Sequence, residues 1–267
     1  MICFPNAKIN LGLNIVEKRI DGFHNIETIM LPIPLRDVLE FRESKDFKIN
    51  VYNSSAKIKL RDNTIYRSWK KLSDKFGIPS FEVSLIKNIP SEAGLGGGSS
   101  DAAFFIKELN TYLELGLSES TMEDLLVDIG SDCPFFIKNK AAFAQSKGEV
   151  LKPVDLELKG KHLSIVKPKF GISTKEAYQL VKISIPEKRI PEIISTPIES
   201  WKNILTNDFE TAISPLYPEL NHIYTVLYKK GSSYVSLSGS GPSIFAISNH
   251  KLDLSAFSNL FTKQFIL

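Results

Sequence analysis

The stretch Pro90-Ser-Glu-Ala-Gly-Leu-Gly-Gly-Gly-Ser-Ser-Asp-Ala-Ala103 restricts what this chain can become more than any other. Four of the five residues 94–98 are glycine, so the backbone can enter conformations closed to other residues and bring its N–H groups against a ligand. Ser99 and Ser100 are good helix caps, and Ala102-Ala103 are expected to open a helix running on through Ile106, Leu109 and Leu113. An amide-lined loop entering a helix N-terminus attracts anions, because unpaired N–H groups and the positive dipole end point the same way. A polyphosphate is the expected ligand. A Walker loop is excluded, since no lysine follows the glycines. The dinucleotide fingerprint is excluded too, because Ser99 stands where its third glycine belongs. The bland alternative is a glycine-rich turn that holds nothing.

Composition bounds the rest. The chain has 267 residues, 43% hydrophobic and 24% charged, enough for one large or two medium globular domains without a covalent staple. A net charge of +3 makes no case for nucleic acid. Lys45, Lys48, Lys57 and Lys59 alternate with apolar residues and read as a solvated strand face. Cys3 and Cys133 lack disulfide or metal spacing, and His162, His222 and His250 have no ligand spacing among them, so a reducing compartment and no protein-built metal centre are expected. Cys133 reads as a small buried hydrophobe. No apolar run reaches the ~18 residues of a membrane span, and Pro5, Asn6 and Lys8 interrupt any signal-peptide pattern. A cytoplasmic protein is expected, as monomer or homodimer.

Along the chain, strands are expected at Ile9–Ile15, Ile26–Ile33, Val38–Phe41, Phe47–Val51, Ile58–Leu60 and Phe81–Ile86. Asp62 can cap a helix with Ile65, Trp69, Leu72 and Phe76 on one face. Ser120-Thr-Met-Glu123 has capping-box spacing and begins a helix to about Ile129. After the turn Gly130–Pro134, Phe135–Ile137 and Ala141–Ala144 look extended. Beyond Pro153 the pattern restarts with strand Leu163–Val166 and a helix from Ser173-Thr174. Helices follow near Trp201–Leu205 and Leu220–Leu227, strands at Tyr234–Leu237 and Ser243–Ile247, and a last helix around Leu254–Phe261. Strands and helices mixed without strict alternation imply α+β, in two domains, 1–153 and 154–267.

If the loop holds ATP phosphates, phosphoryl transfer further needs positive charge near the γ-phosphate and a group to take the acceptor's proton. Lys8, inside an apolar strand start, is a candidate cation, because burying a lysine is costly without a partner. An edge lysine facing solvent is the alternative. Asp132, set against Cys133, Pro134, Phe135 and Phe136, is either a turn residue or a carboxylate held for proton work.

Three segments together, Pro5-Asn-Ala-Lys-Ile-Asn10, the Pro90–Ala103 loop and Leu237-Ser-Gly-Ser-Gly-Pro-Ser243, resemble the motifs of the GHMP kinases, in that family's order and spacing over nearly the whole chain. The resemblance implies an N-terminal domain like the second domain of ribosomal protein S5 and a ferredoxin-like C-terminal domain. It also implies ATP with Mg2+, and a last glycine segment that closes over the site. Lys18-Arg-Ile-Asp-Gly-Phe-His24, Gly94–Ser100 and Gly130-Ser-Asp-Cys-Pro-Phe-Phe136 are most similar to members of the family that phosphorylate the 2-hydroxyl of a cytidine diphosphate-linked methylerythritol, a step of non-mevalonate isoprenoid synthesis. On that resemblance Lys8 and Asp132 are the catalytic pair, and Asn10 helps hold the acceptor. Phe23, His24, Thr174 and Tyr178 border the substrate, with the aromatic rings on the cytosine. Pro90, Ala93, Gly94, Leu95, Gly96, Gly97, Gly98, Ser99 and Ser100 line the ATP phosphates, and Asn63 lies near the adenine.

Three departures from the family pattern stand out: Phe23 where tyrosine is usual, Ser146 where glycine is frequent, and Ser91-Glu92 in place of small residues. Two other readings stay open. One is a homoserine- or phosphomevalonate-type kinase of the same family. The other is a nucleotide-sensing or RNA-binding module without turnover.

Overall fold

A computed structural model describes residues 1–54, 58–183 and 186–267. In chain order the elements are β1 (Ile2–Cys3), β2 (Asn6–Lys18), β3 (His24–Arg36), β4 (Val38–Ser44), β5 (Lys48–Tyr52), α1 (Thr64–Phe76), β6 (Ser80–Ile86), α2 (Gly97–Tyr112), α3 (Glu119–Leu126) and α4 (Cys133–Lys138). There follow β7 (Ala142–Gln145), β8 (Val150–Pro153), β9 (His162–Lys167), α5 (Thr174–Leu180), α6 (Ile190–Ile194), α7 (Asp208–Ile213), α8 (Pro218–Lys229), β10 (Tyr234–Leu237), β11 (Ile244–Ser248) and β12 (Phe261–Ile266). The mixture is α+β, as the sequence implies. It divides into two compact units: Met1–Lys8, Pro34–Ser91 and Gly96–Lys140 in the first, and Ile9–Ile33, Glu92–Leu95 and Ala141–Leu267 in the second.

In the first unit the sheet runs β1-β4-β6-β5, antiparallel except where β5 lies parallel to β6. Alternation along β4 and β6 buries Leu39, Phe41, Phe81, Val83 and Leu85, and α2 lays Ala102, Phe105, Ile106 and Leu109 into the core. The rings of Phe41 and Phe105 meet edge to face at 5.2 Å. This packing matters for function because it fixes the direction in which the N-terminus of α2 points.

The second unit holds two sheets, β2-β3-β7-β8 and the antiparallel β10-β11-β9-β12. Helix α8 buries Leu220, Ile223 and Leu227 in one cluster with Val235, Leu237, Ile244 and Ala246 of β10 and β11. Strand β2 is buried on both faces: Ile9, Leu11, Leu13 and Ile15 alternate with Lys8, Asn10 and Asn14, all of them buried. Polar side chains inside a doubly covered strand must find partners, and these do.

Several local expectations are corrected. Ile58–Leu60 forms no strand; Leu60–Asp62 is a 3-10 turn, and Asn63, not Asp62, caps α1 by accepting from the Ile65 N–H. Trp69 is half-buried, stacked on Phe47 at 4.5 Å, while Phe76 is exposed. Helix α3 is capped by Ser118, which accepts from the Thr121 N–H, two residues before the expected box. Phe135–Ile137 is helical, since Pro134 at the first turn presets the backbone of α4. Trp201–Leu205 is a turn after a short 3-10 helix, Ile198–Ser200. The last expected helix is a single 3-10 turn, Ser255–Phe257, and β12 pairs with β9 instead. Lys45, Lys48 and Lys59 are exposed, and Lys57 lies outside the described residues.

Candidate active site

Helix α2 begins inside the glycines, earlier than the serines imply. Gly96 is its N-cap, left-handed at φ 70, and no side chain caps it. Ser99 and Ser100 therefore occupy the first turn, where the Ser100 N–H bonds the Gly96 carbonyl at 2.9 Å. A β-carbon on Gly96 would stand 3.0 Å from Phe136 Cζ and 3.1 Å from Lys8 Cγ. The glycine thus allows the helix start to lie against the stem of Lys8. A helix N-terminus without a side-chain cap offers its N–H groups and dipole to an anion. Ser100 Oγ is buried there without a hydrogen-bond partner. Ala93 and Leu95 are buried anchors, Gly98 is exposed, and Pro90 is half-buried. The Thr64 hydroxyl donates to the Gly98 carbonyl at 2.7 Å, so Asn63, one residue before it, caps a helix tied to this turn.

Lys8, 3% exposed, is not an edge lysine facing solvent. Its Nζ lies 3.2 Å from Asp132 Oδ2, with the Asp132 side chain 26% exposed. Asp132 occupies the N-cap position of α4 yet does not cap it. The turn is closed by the Cys133 N–H on the Gly130 carbonyl, and Cys133, Phe135, Phe136 and Ile137 are buried beneath it. The result is an ammonium held out of water and a carboxylate still open on one side. Burial pushes the Cys133 thiol up to about 12, which makes it an inert filler.

In the second unit the Asn10 amide donates to Thr28 Oγ1 at 3.1 Å, and Thr28 in turn donates to the Gly12 carbonyl. The rings of His24 and Tyr178 stack, with centroids 4.9 Å apart and planes 15° apart. Burial, then the Lys18 charge, holds His24 below the usual imidazole value, so the neutral ring keeps one donor and one acceptor. Phe23 is not part of that stack: it is 59% exposed, with Lys147 Nζ 5.1 Å from its ring. The hydroxyls of Thr174 and Ser240 lie 3.0 Å apart. Ser238–Ser243 folds onto the glycine segment: the Ser238 hydroxyl donates to the Gly94 carbonyl at 2.9 Å, and a β-carbon on Gly94 would stand 1.8 Å from the Ser238 carbonyl oxygen. Glu92, left-handed at φ 48 and exposed, lies over Gly171.

The sequence reading missed a buried ion cluster behind α2. Lys87 Nζ pairs with Asp37 and with Asp101 Oδ2, the latter at 2.7 Å, and would stand 3.2 Å from a β-carbon on Gly97. The one available signal was Asp101 amid an apolar helix face, and nothing in its spacing named Lys87 as the partner.

The GHMP kinases N terminal domain matches residues 63–140, and the GHMP kinases C terminal matches residues 190–266. A 4-diphosphocytidyl-2-C-methyl-D-erythritol kinase of Bacteroides fragilis is 45% identical over 251 residues, covering 92% of each chain. One of Porphyromonas gingivalis is 40% identical and covers 100% of both chains. The crystal structure of a 4-(cytidine 5'-diphospho)-2C-methyl-D-erythritol kinase matches with a TM-score of 0.77 at 28% identity, covering 92% of this chain and 90% of that one. A mevalonate kinase structure, at 17% identity and a TM-score of 0.71 over 99% and 98% of the two chains, shares the fold. With two family domains in order and relatives this similar over nearly its full length, the chain belongs to the GHMP kinases.

Proposed function

We propose that this kinase transfers the γ-phosphoryl group of ATP to the 2-hydroxyl of 4-diphosphocytidyl-2-C-methyl-D-erythritol, the substrate named for its 40–45% identical relatives. The observation that carries the chemistry is the Lys8–Asp132 pair at 3.2 Å, with the Lys8 stem against the N-cap of the glycine helix. Asp132 takes the proton of the acceptor hydroxyl. The freed oxygen attacks the γ-phosphorus, the bond to the bridging oxygen breaks, and ADP leaves. Lys8 offsets the charge gathering at the reacting oxygens. A positioned base of this kind contributes about 10²–10⁴-fold in rate, and the α2 N-terminus supplies fixed dipoles for the phosphates.

Gly94, Gly96, Gly97 and Gly98 with Ser99 and Ser100 are assigned to the phosphates, Pro90, Ala93 and Leu95 to the shape of that loop, and Asn63 to the adenine. Asn10, Phe23, His24, Thr174 and Tyr178 are assigned to the acceptor. Among the described residues no three His, Cys, Asp or Glu side chains gather into a metal site. A Mg2+ carried on phosphate oxygens and water would have the Ser100 hydroxyl, buried without a hydrogen-bond partner, as its protein group. When bound, the ion would supply charge neutralisation to the phosphates. The proposed domains 1–153 and 154–267 rest on the family stretches 63–140 and 190–266, which fall on either side of Pro153, whereas the compact units assign Ile9–Ile33, Glu92–Leu95 and residues 141–153 with the C-terminal part. Among the described residues no helix is long and apolar enough to cross a membrane, and action in the cytoplasm is part of the proposal.

The test is ADP release with three acceptors. Turnover with the cytidyl methylerythritol, and none with homoserine or mevalonate, is expected. Turnover only with homoserine or mevalonate, or nucleotide binding with no acceptor turned over, would reject the proposal.

A further inference from the structure

We infer that Asn207 is a positioning residue for nucleotide binding, acting through the last glycine segment. The inference rests on the assignment of Gly94 and its neighbours to ATP. Asn207, 1% exposed, immediately precedes α7. Its side-chain oxygen accepts from the Phe209 N–H at 3.0 Å. Its amide nitrogen donates to the Leu237 carbonyl at 3.0 Å and to the Gly239 carbonyl at 2.9 Å. Those two carbonyls flank Ser238, the residue whose hydroxyl holds the Gly94 carbonyl. Asn207 therefore fixes both sides of the side chain that holds the Gly94 carbonyl.

Its surroundings turn this into a bracket. Glu210 accepts from the Leu237 N–H at 2.7 Å and from the Ser236 hydroxyl at 2.6 Å. Asp208 accepts from the Ile15 N–H at 2.7 Å, and the Leu13 N–H donates to the Thr206 carbonyl at 2.9 Å. Thr206–Glu210 thus ties β2 on one side and the end of β10 on the other. Within it only Asn207 reaches past β10 into the glycine segment. The chemistry selects an amide: two carbonyl oxygens need two donors while the helix N–H needs an acceptor, and among side chains of this length only asparagine provides all three. An aspartate would set a carboxylate oxygen against two carbonyl dipoles. An alanine would take the amide donor away from two buried carbonyls.

The experiment uses the full chain and four variants: Asn207→Ala, Asn207→Asp, Ser238→Ala, and Thr211→Ala as a control on the exposed side of α7. Read-outs are the Kd of a nonhydrolysable ATP analogue, the KM values for ATP and for the cytidyl acceptor, and thermal stability. Asn207→Ala and Asn207→Asp should raise the analogue Kd and the ATP KM by about tenfold, with the acceptor KM within about twofold. Ser238→Ala, which keeps both carbonyl bonds, should move the same two constants in the same direction with little change in melting temperature. Thr211→Ala should change none of them. An unchanged analogue Kd in folded Asn207→Ala, or equal rises in both KM values, overturns the inference. If the Asn207 variants do not fold, an unchanged analogue Kd in Ser238→Ala overturns it alone. A wild-type protein that does not bind the analogue would instead reject the ATP assignment, so the two failures are distinguishable.

Discussion

Gly96→Ala should damage turnover more than any other single methyl group added to the glycine segment of the first unit. Two costs add. An L-residue at φ 70 occupies the left-handed region, at about 1–2 kcal/mol. The new β-carbon would stand 3.0 Å from Phe136 Cζ, 3.1 Å from Phe136 Cε2 and 3.1 Å from Lys8 Cγ. Phe136 is wholly buried and cannot swing away, so the crowding adds about 1–3 kcal/mol and falls on the flexible Lys8 stem. Urea unfolding should report a loss of about 2–5 kcal/mol in all. Because a misplacement near 1 Å can cost about a hundredfold in rate, kcat should fall by a factor of that order in protein that is still folded. Gly116→Ala is the control: Gly116 has φ 65 but nothing within 4 Å of its added carbon. It should lose only the backbone cost and keep its kcat. If Gly96→Ala matches Gly116→Ala in both stability and kcat, the contact between the helix start and Lys8 has no catalytic meaning.

Three further outcomes are expected. Burial pushes the Asp101 carboxyl up to about 7 against the opposing pull of Lys87, so the folded chain holds a proton there that the unfolded chain releases at lower pH. That contribution to stability is present below the unfolded value, 3.8, and is lost as pH rises toward about 7. Asp101→Asn, which mimics the protonated acid, should flatten the fall in unfolding free energy across that window; an unchanged slope refutes the assignment. Tyr178→Ala should raise the acceptor KM about tenfold and leave the ATP KM alone, the loss expected from removing one ring–base stack, and Phe23→Ala should act on the same constant. Equal changes in both KM values would remove these rings from the acceptor pocket. Phe105→Ala, at the centre of the aromatic contacts between α2 and its sheet, should cost about 3–5 kcal/mol in urea unfolding, and a loss under 1 kcal/mol would contradict that packing.

What was legible in the sequence was what composition alone makes unusual. The glycine run, the lysine inside an apolar strand and the aspartate before Pro134 each break a local rule, and rule-breaking residues concentrate where function is. Element boundaries were less legible where two signals compete. Ser99 and Ser100 look like caps, yet Gly96 reaches the left-handed conformation first and starts the helix three residues early. Phe135–Ile137 is a short apolar run, which periodicity cannot assign to helix or strand. Residues near Phe261 show no strand signal, because their pairing with β9, almost a hundred positions earlier, leaves no local trace. The same holds for the site. His24 on Tyr178, Lys87 between two aspartates and Asn207 under the glycine segment are meetings of distant positions that only the fold brings together.

Asp132→Asn tests the central claim most directly, because it keeps the size of the side chain while deleting its ability to take a proton, together with the charge that faces Lys8. Binding of a nonhydrolysable ATP analogue should stay within about twofold, while single-turnover phosphorylation of the cytidyl acceptor falls by about 10²–10⁴-fold. Transfer at the wild-type rate by folded, nucleotide-binding Asp132→Asn would contradict the account.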